Sequence, residues 1–230
     1  MQRIRLYCEG IKPVMFDPAS EAFLDKLGTR VRQQPRTDIN VEEEARSRVL
    51  VTERDYLYFP LGYLFSCLVE AGRFVKYEGK MSLSTADSTR LTMILTLEGE
   101  QVILGLRDGN GTFQPLSPDE WTVDKRRGVN KVTKAPVRII RPKIARWGFE
   151  VEAVFDNDRF ALSKLIELFR VAGLGIGIGS FRAENKGEFG MFELKEVKIL
   201  EEWKPEETVK VVSLVETKPT TKRSRSKAKQ

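Results

Sequence analysis

Residues 173–180 read Gly-Leu-Gly-Ile-Gly-Ile-Gly-Ser, and Phe181 and Arg182 follow at once. Alternate glycines let a backbone come close to a phosphate or to another backbone, because no Cβ intervenes. Phe181 offers a ring for base stacking and Arg182 a fork for phosphate oxygens, with Lys186 adding a charge before Gly187 and Gly190. The run does not fit the nucleotide loops. A dinucleotide fingerprint follows a strand and opens a helix, whereas here a helical pattern precedes and a strand pattern follows. No Gly-Lys-Ser or Gly-Lys-Thr closes a Walker loop. Two readings stay open: a helix C-cap with a flexible turn, or a loop in which Gly175, Gly177 and Gly179 track a nucleic-acid backbone.

A second concentration of chemistry is electrostatic. Between positions 125 and 146 stand Lys125, Arg126, Arg127, Lys131, Lys134, Arg138, Arg141, Lys143 and Arg146, with no acid among them. Residues 218–230 add Lys218, Lys222, Arg223, Arg225, Lys227 and Lys229, again without an acid. Removing those six from the 39 bases leaves 33, equal to the 33 acids, so the tail accounts for the whole net charge of +6. Such segregation predicts one basic surface. Cations without acids neutralise phosphates and release counterions, which gives salt-dependent, sequence-tolerant affinity. The bland alternative is a solvated charged face whose members pair with acids elsewhere. Residues 124–136 have no apolar period and read as a loop, which favours Lys125, Arg126, Arg127, Lys131 and Lys134 as phosphate contacts. Arg138 and Arg141 have opposite parity on a strand, so at most one faces the same groove; Arg141 is included in the candidate set.

Other chemistries are thinly supplied. Histidine is absent, which removes Ser-His-Asp and Cys-His pairs, histidine general bases and the usual zinc sites. Cys8 and Cys67 lie among apolar residues with no partner at metal spacing, and read as reduced core cysteines. Glu42, Glu43 and Glu44, and Glu201 and Glu202, are runs on polar segments, and Asp156 and Asp158 sit where capping explains them. A metal-dependent nuclease needs acids converging in space, and their spacing does not show that. No catalytic residue, metal site or cofactor is expected. Trp147 begins an apolar strand face and reads as core; Trp121 fits either core or stacking.

The elements that position these residues follow from periodicity. Residues 3–9 alternate as a strand. A short helix fits 19–27 and a loop fits 28–38. Asn40 caps a short helix with Glu43 as its partner, and 49–51 with 56–59 form a small hairpin. Pro60 starts a helix to about 75, whose stripe is Leu61, Leu64, Phe65, Leu68, Ala71 and Val75. Strands fit 91–97 and 101–106. Residues 137–142 and 147–155 read as a hairpin, Asp158 caps a helix over 159–172, and the last strand lies within 189–200. Residues 209–215 suit an edge strand, and disorder is expected beyond 218. The strongest elements give the order βαββαβ, an α+β, ferredoxin-like (RRM-like) core. That core spans 1–203 with insertions at 17–60 and 76–136. A linker or edge strand at 204–217 and a disordered basic C-terminal tail at 218–230 follow. RNA-recognition modules of this order present a four-stranded sheet with helices behind.

The glycine run with Phe181-Arg182 and Glu188-Phe189-Gly190-Met191-Phe192 resembles the hallmark of the RAMP superfamily of CRISPR proteins. That hallmark is a glycine-rich loop between the last helix and last strand of a ferredoxin-like unit. Glu9-Gly10-Ile11-Lys12-Pro13-Val14 resembles the superfamily's first-strand exit, and Tyr58-Phe59-Pro60-Leu61-Gly62 its entry to the first helix. Together the matches cover about a third of the chain, and uncharacterised phage-encoded proteins share such layouts. The resemblance implies RNA or single-stranded DNA binding, with side-by-side assembly along the strand and a thumb-like loop drawn from 76–136. Processing-type members cut RNA, commonly with a histidine, which this chain lacks, so nuclease activity is not carried over.

The expected function is therefore non-catalytic binding of single-stranded RNA or DNA by a homo-oligomer or multiprotein complex. The alternatives are a structural or assembly protein, of a phage particle for instance, and a metal-dependent nuclease. No apolar run approaches the roughly 20 residues of a membrane span, and the opening residues lack a signal peptide's apolar middle. A soluble, cytoplasmic protein is expected.

Overall fold

The computed structural model describes residues 1–18, 40–129 and 134–202. The expected helix at 19–27, the loop at 28–38, Lys131, the edge strand at 209–215 and the basic tail lie outside the described residues. In chain order the first elements are β1 (Gln2–Gly10), β2 (Val14–Met15), α1 (Val41–Arg46), β3 (Tyr58–Pro60) and α2 (Leu61–Ala71). Then come β4 (Lys76–Glu78), β5 (Met81–Ser82), α3 (Leu91–Ile94), β6 (Leu95–Leu97), β7 (Gln101–Arg107) and β8 (Phe113–Pro115). The last are β9 (Thr122–Val129), β10 (Pro136–Ile144), β11 (Gly148–Phe155), α4 (Leu162–Val171) and β12 (Phe192–Glu202).

The protein is α+β, and its sheets are antiparallel. Strands β12, β1, β11, β7 and β3 lie side by side in that order, with β6 also on β11 and β8 on β7. Along β1, Ile4, Leu6 and Cys8 are buried while Arg3, Arg5 and Glu9 face the other way, as a period of two requires. β11 does the same with Phe149, Val151, Ala153 and Phe155. Leu64, Cys67, Leu68 and Ala71 of α2, and Leu165, Leu168 and Phe169 of α4, are buried in the same core.

Three expectations about the middle of the chain are corrected. Residues 137–142 do not pair with 147–155: β10 pairs with β9 and, at Lys143 and Ile144, with β2. The place beside β11 goes to β6 and β7, because it needs inward apolar residues, and Leu95, Val102 and Leu104 supply them. The segment 76–136 supplies three strands of the main sheet, β6, β7 and β8. Residues 124–136 are not simply a loop either: β9 extends to Val129 and β10 begins at Pro136. No apolar period marks β9 because its backbone pairing with β10 holds it and only part of each face is covered. Within 91–97, the first four residues form a helical turn before the strand.

Local details also follow the chemistry. Asn40 Oδ1 accepts from the N–H groups of Glu42 and Glu43 and caps α1. Asp158 does not cap α4, whose N-cap is Ala161; buried Asp156 instead accepts from the N–H groups of Asp158 and Arg159. Trp147 is fully buried, stacked on Phe149 with centroids 6.1 Å apart, and its Nε1 donates to Lys12 O at 2.8 Å. The indole lies where a side chain on Gly10 would project, so only glycine fits at 10. Both cysteines are buried free thiols. No helix of the described residues is long and apolar enough to cross a membrane.

Trp147→Ala removes this ring and leaves the Lys12 carbonyl without its donor. Urea denaturation is expected to show a loss of about 3–5 kcal/mol. A loss under about 1 kcal/mol would contradict the packing described here.

Candidate nucleic-acid interface

The glycine-rich run begins where α4 widens into a π-helical turn over Ala172–Ile176, in which Gly177 N donates to Ala172 O at 2.7 Å. Gly177 and Gly179 then take φ values of 77° and 82°. Ile178 between them is buried, its N–H on Gly190 O at 2.9 Å, and Ser180 N donates to Met15 O at 2.7 Å. Gly190 N in turn reaches Pro13 O at 2.8 Å. A methyl group at Gly173 would overlap the Phe192 carbonyl, one at Gly179 that of Met15, and one at Gly190 that of Ile178. Most of the run is packed internally, an arrangement distinct from both the C-cap with a flexible turn and the loop that tracks a nucleic-acid backbone. The close approach is to the chain's own backbone at 13–15 and 189–190. Gly175 differs: the nearest atom to a side chain there would be Val171 Cγ1 at 3.9 Å.

The loop delivers Phe181 and Phe189 to one face of the β9–β10 hairpin. In that hairpin Asp124 opposes Arg141, Arg126 opposes Ile139, Lys125 opposes Ile140 and Arg127 opposes Arg138. Alternation divides the cations between two faces. Arg126 and Arg141 point to the loop. Arg126 Cζ lies 4.4 Å from the Phe189 ring centroid and 5.5 Å from that of Phe181, and Arg141 Cζ lies 4.8 Å from Phe181. Arg126 donates twice to Asp124, at 2.6 and 3.2 Å, which raises its already basic guanidinium further. Arg141 donates to Asp17 at 2.6 Å, and Asp17 also pairs with Arg48.

Lys125, Arg127 and Arg138 occupy the opposite, outer face and are exposed. Together with Val41, Pro136, Val137 and the edge of Arg126 they line an open hollow of about 490 Å³. Among the described residues, none of the three forms an ion pair. Lys134 is exposed near the hairpin tip, with a φ of 57°.

Arg182 does not join that face. Its guanidinium pairs with Glu184 at 2.6 Å, and its Nη1 donates to Gly179 O at 3.4 Å. It lines a separate cavity of about 360 Å³ with Asp17, Tyr63, Ser66, Cys67 and Ser180. Burial pushes the Cys67 thiol up to about 12, and its Sγ donates to Ala172 O, so it is not poised as a nucleophile. Lys186 is exposed in a left-handed conformation. Trp121 is half-buried, with its Nε1 on Pro118 O and Arg46 over its ring.

Sequence reasoning grouped the cations of 125–141 with the glycine loop on one basic surface, and separated only Arg138 from Arg141 by parity. Phe181 is corrected as a free stacking ring, because two guanidiniums cover it. Arg141 is turned inward and Lys125 and Arg127 outward, while Arg126 lies over the Phe189 ring with its side chain 38% exposed. Phe189 was missed as a partner; its place in the Glu188-Phe189-Gly190 motif was the available signal.

The sheet face away from the helices carries a different pattern. Arg3 bridges Glu98 and Glu152, Arg5 also binds Glu152, and Arg107 pairs with Glu150 and Glu196 while lying 4.2 Å over the Tyr7 ring. Its arginines are matched by glutamates, and Tyr7, under Arg107, meets Phe113 edge-on with centroids 6.5 Å apart. Among the described residues no three His, Cys, Asp or Glu side chains converge as a metal site. No protein-family model matches the chain, and no curated protein matches it.

Two alanine variants test what the glycines are for. Gly190→Ala meets the Ile178 carbonyl at a φ of 67° and is expected to cost about 3 kcal/mol or more in chemical denaturation. Gly175→Ala has room in a helical turn and should be neutral or stabilise by up to about 1 kcal/mol. Equal, small effects at both positions would show that the loop is not built on close backbone contact.

Proposed function

We propose that the protein is a non-catalytic single-stranded nucleic-acid-binding protein whose β9–β10 hairpin is its phosphate-binding arm. The carrying observation is Arg127 directly opposite Arg138, both exposed, with Lys125 on the same face and no acid paired to any of them among the described residues. Like charges facing one another across a strand pair destabilise it. A polyanion laid along the outer face relieves that repulsion and binds through counterion release.

The arrangement of the main sheet supports the RAMP-like, ferredoxin-type reading. The first strand sits between the last strand and β11, with β6 and β7 beyond, and α2 and α4 share the core on one side. On that reading the arm corresponds to the thumb-like element implied by the resemblance, and copies assemble side by side along a strand. The ion-paired sheet face speaks against binding in the manner of RNA-recognition modules, which need free rings on the sheet.

Fluorescence anisotropy with labelled single-stranded RNA and DNA tests this. Three phosphate contacts on a single strand predict an affinity loss of about 40-fold between about 50 and about 300 mM salt. Arg127→Ala with Arg138→Ala should weaken binding and flatten that salt slope. Salt-independent binding, or assembly that proceeds identically without oligonucleotide, would point instead to a structural assembly protein.

A further inference from the structure

We propose that Arg126 and Arg141 are positioning residues that hold the arm in place through Phe181 and Phe189, and are not themselves phosphate contacts. The inference rests on the reading of the arm's outer face as the polyanion surface, and concerns how that face is kept in position.

The arm needs holding. β2 reaches only Lys143 and Ile144, so from 122 to 142 the arm is a two-stranded ribbon among the described residues. A ribbon of that kind is marginal without a surface to pack on. On its outer side α1 gives support near the base, where Ala45 and Ile140 are both buried. On its inner side the guanidiniums of Arg126 and Arg141 lie over Phe181 and Phe189. Arg141 is 15% exposed, and its Nε is buried with no hydrogen-bond partner, so that edge of the fork is closed to solvent phosphate. Asp124 and Asp17 supply the counter-charges from within the protein.

Phe181 carries the second half of the contact. Its φ of 53° is a left-handed conformation that an aromatic residue keeps only where its surroundings hold it. Here Phe181 O accepts from Phe189 N at 3.1 Å, and a methyl group at Gly187 would overlap the same carbonyl. The loop therefore fixes the ring, and the ring fixes the arm. A planar guanidinium can lie flat on a ring while donating twice to a carboxylate, as Arg126 does to Asp124, whereas a lysine ammonium meets a ring only as a point charge. That difference separates a positioning role from a phosphate contact, for which lysine serves nearly as well.

Hydrogen–deuterium exchange of the arm amides, measured on the full chain with strand affinity alongside, tests this. Arg126→Lys and Phe181→Leu should each speed exchange over 122–129 and 136–142 by about tenfold. They should also weaken strand binding without changing its salt slope. Phe181→Tyr keeps the ring and should restore slow exchange. Arg127→Ala, on the outer face, should leave arm exchange unchanged while weakening strand binding and lowering its salt slope. Unaltered arm exchange in Arg126→Lys and Phe181→Leu overturns the proposal, as does a salt slope that falls when Arg126→Gln removes the charge. Should the wild-type protein bind no strand while these variants still loosen the arm, the positioning role stands and the function proposed above fails.

Discussion

The guanidiniums of Arg126 and Arg141 lie 5.5 and 4.8 Å from the Phe181 ring centroid. That contact ties a charged hairpin with little core of its own to a loop that is itself pinned to the core. The glycines act upstream of that contact. By letting 177–182 lie directly on the backbone at 13–15 and 189–190, they bring Phe181 to the arm in a conformation a looser loop would not keep. Chain segments far apart in sequence thereby meet through one ring and two cations. Cation–ring contacts of this partly covered kind contribute about 1 kcal/mol each, which is enough to matter for a two-stranded ribbon and too little to matter for the main sheet.

The same residue type does different work in three places. Arg3, Arg5 and Arg107 are matched by glutamates on the sheet. Arg126 and Arg141 are matched by Asp124 and Asp17 and covered by rings. Arg127 and Arg138 have neither acid nor ring among the described residues. Net charge would not distinguish these groups, since the chain outside its tail is balanced. What marks the outer face of the arm is the absence of pairing there, because an unpaired cation keeps its capacity to displace counterions from phosphate.

Much of this was legible in the sequence where packing repeats at a fixed period. β1, β11, α2 and α4 show it, as do Trp147 in the core and the buried cysteines. The opposite parity of Arg138 and Arg141 also carried over directly into two faces. The strand beside β11 was misjudged because adjacency in sequence suggests a hairpin, while the sheet selects for inward apolar residues wherever they occur. β9 was invisible because its contacts are backbone pairing and arginine on phenylalanine, and neither leaves an apolar period. The glycine run was ambiguous for a physical reason: close approach to a phosphate and close approach to a carbonyl demand the same missing Cβ.

Photo-crosslinking to an oligonucleotide carrying 4-thiouridine, with the attached peptides mapped by mass spectrometry, addresses the central claim directly. Crosslinks are expected on Lys125, Arg127 and Arg138 of the arm. Crosslinks confined to the sheet face around Arg3, Arg5, Tyr7 and Arg107, with none on the arm, would contradict it.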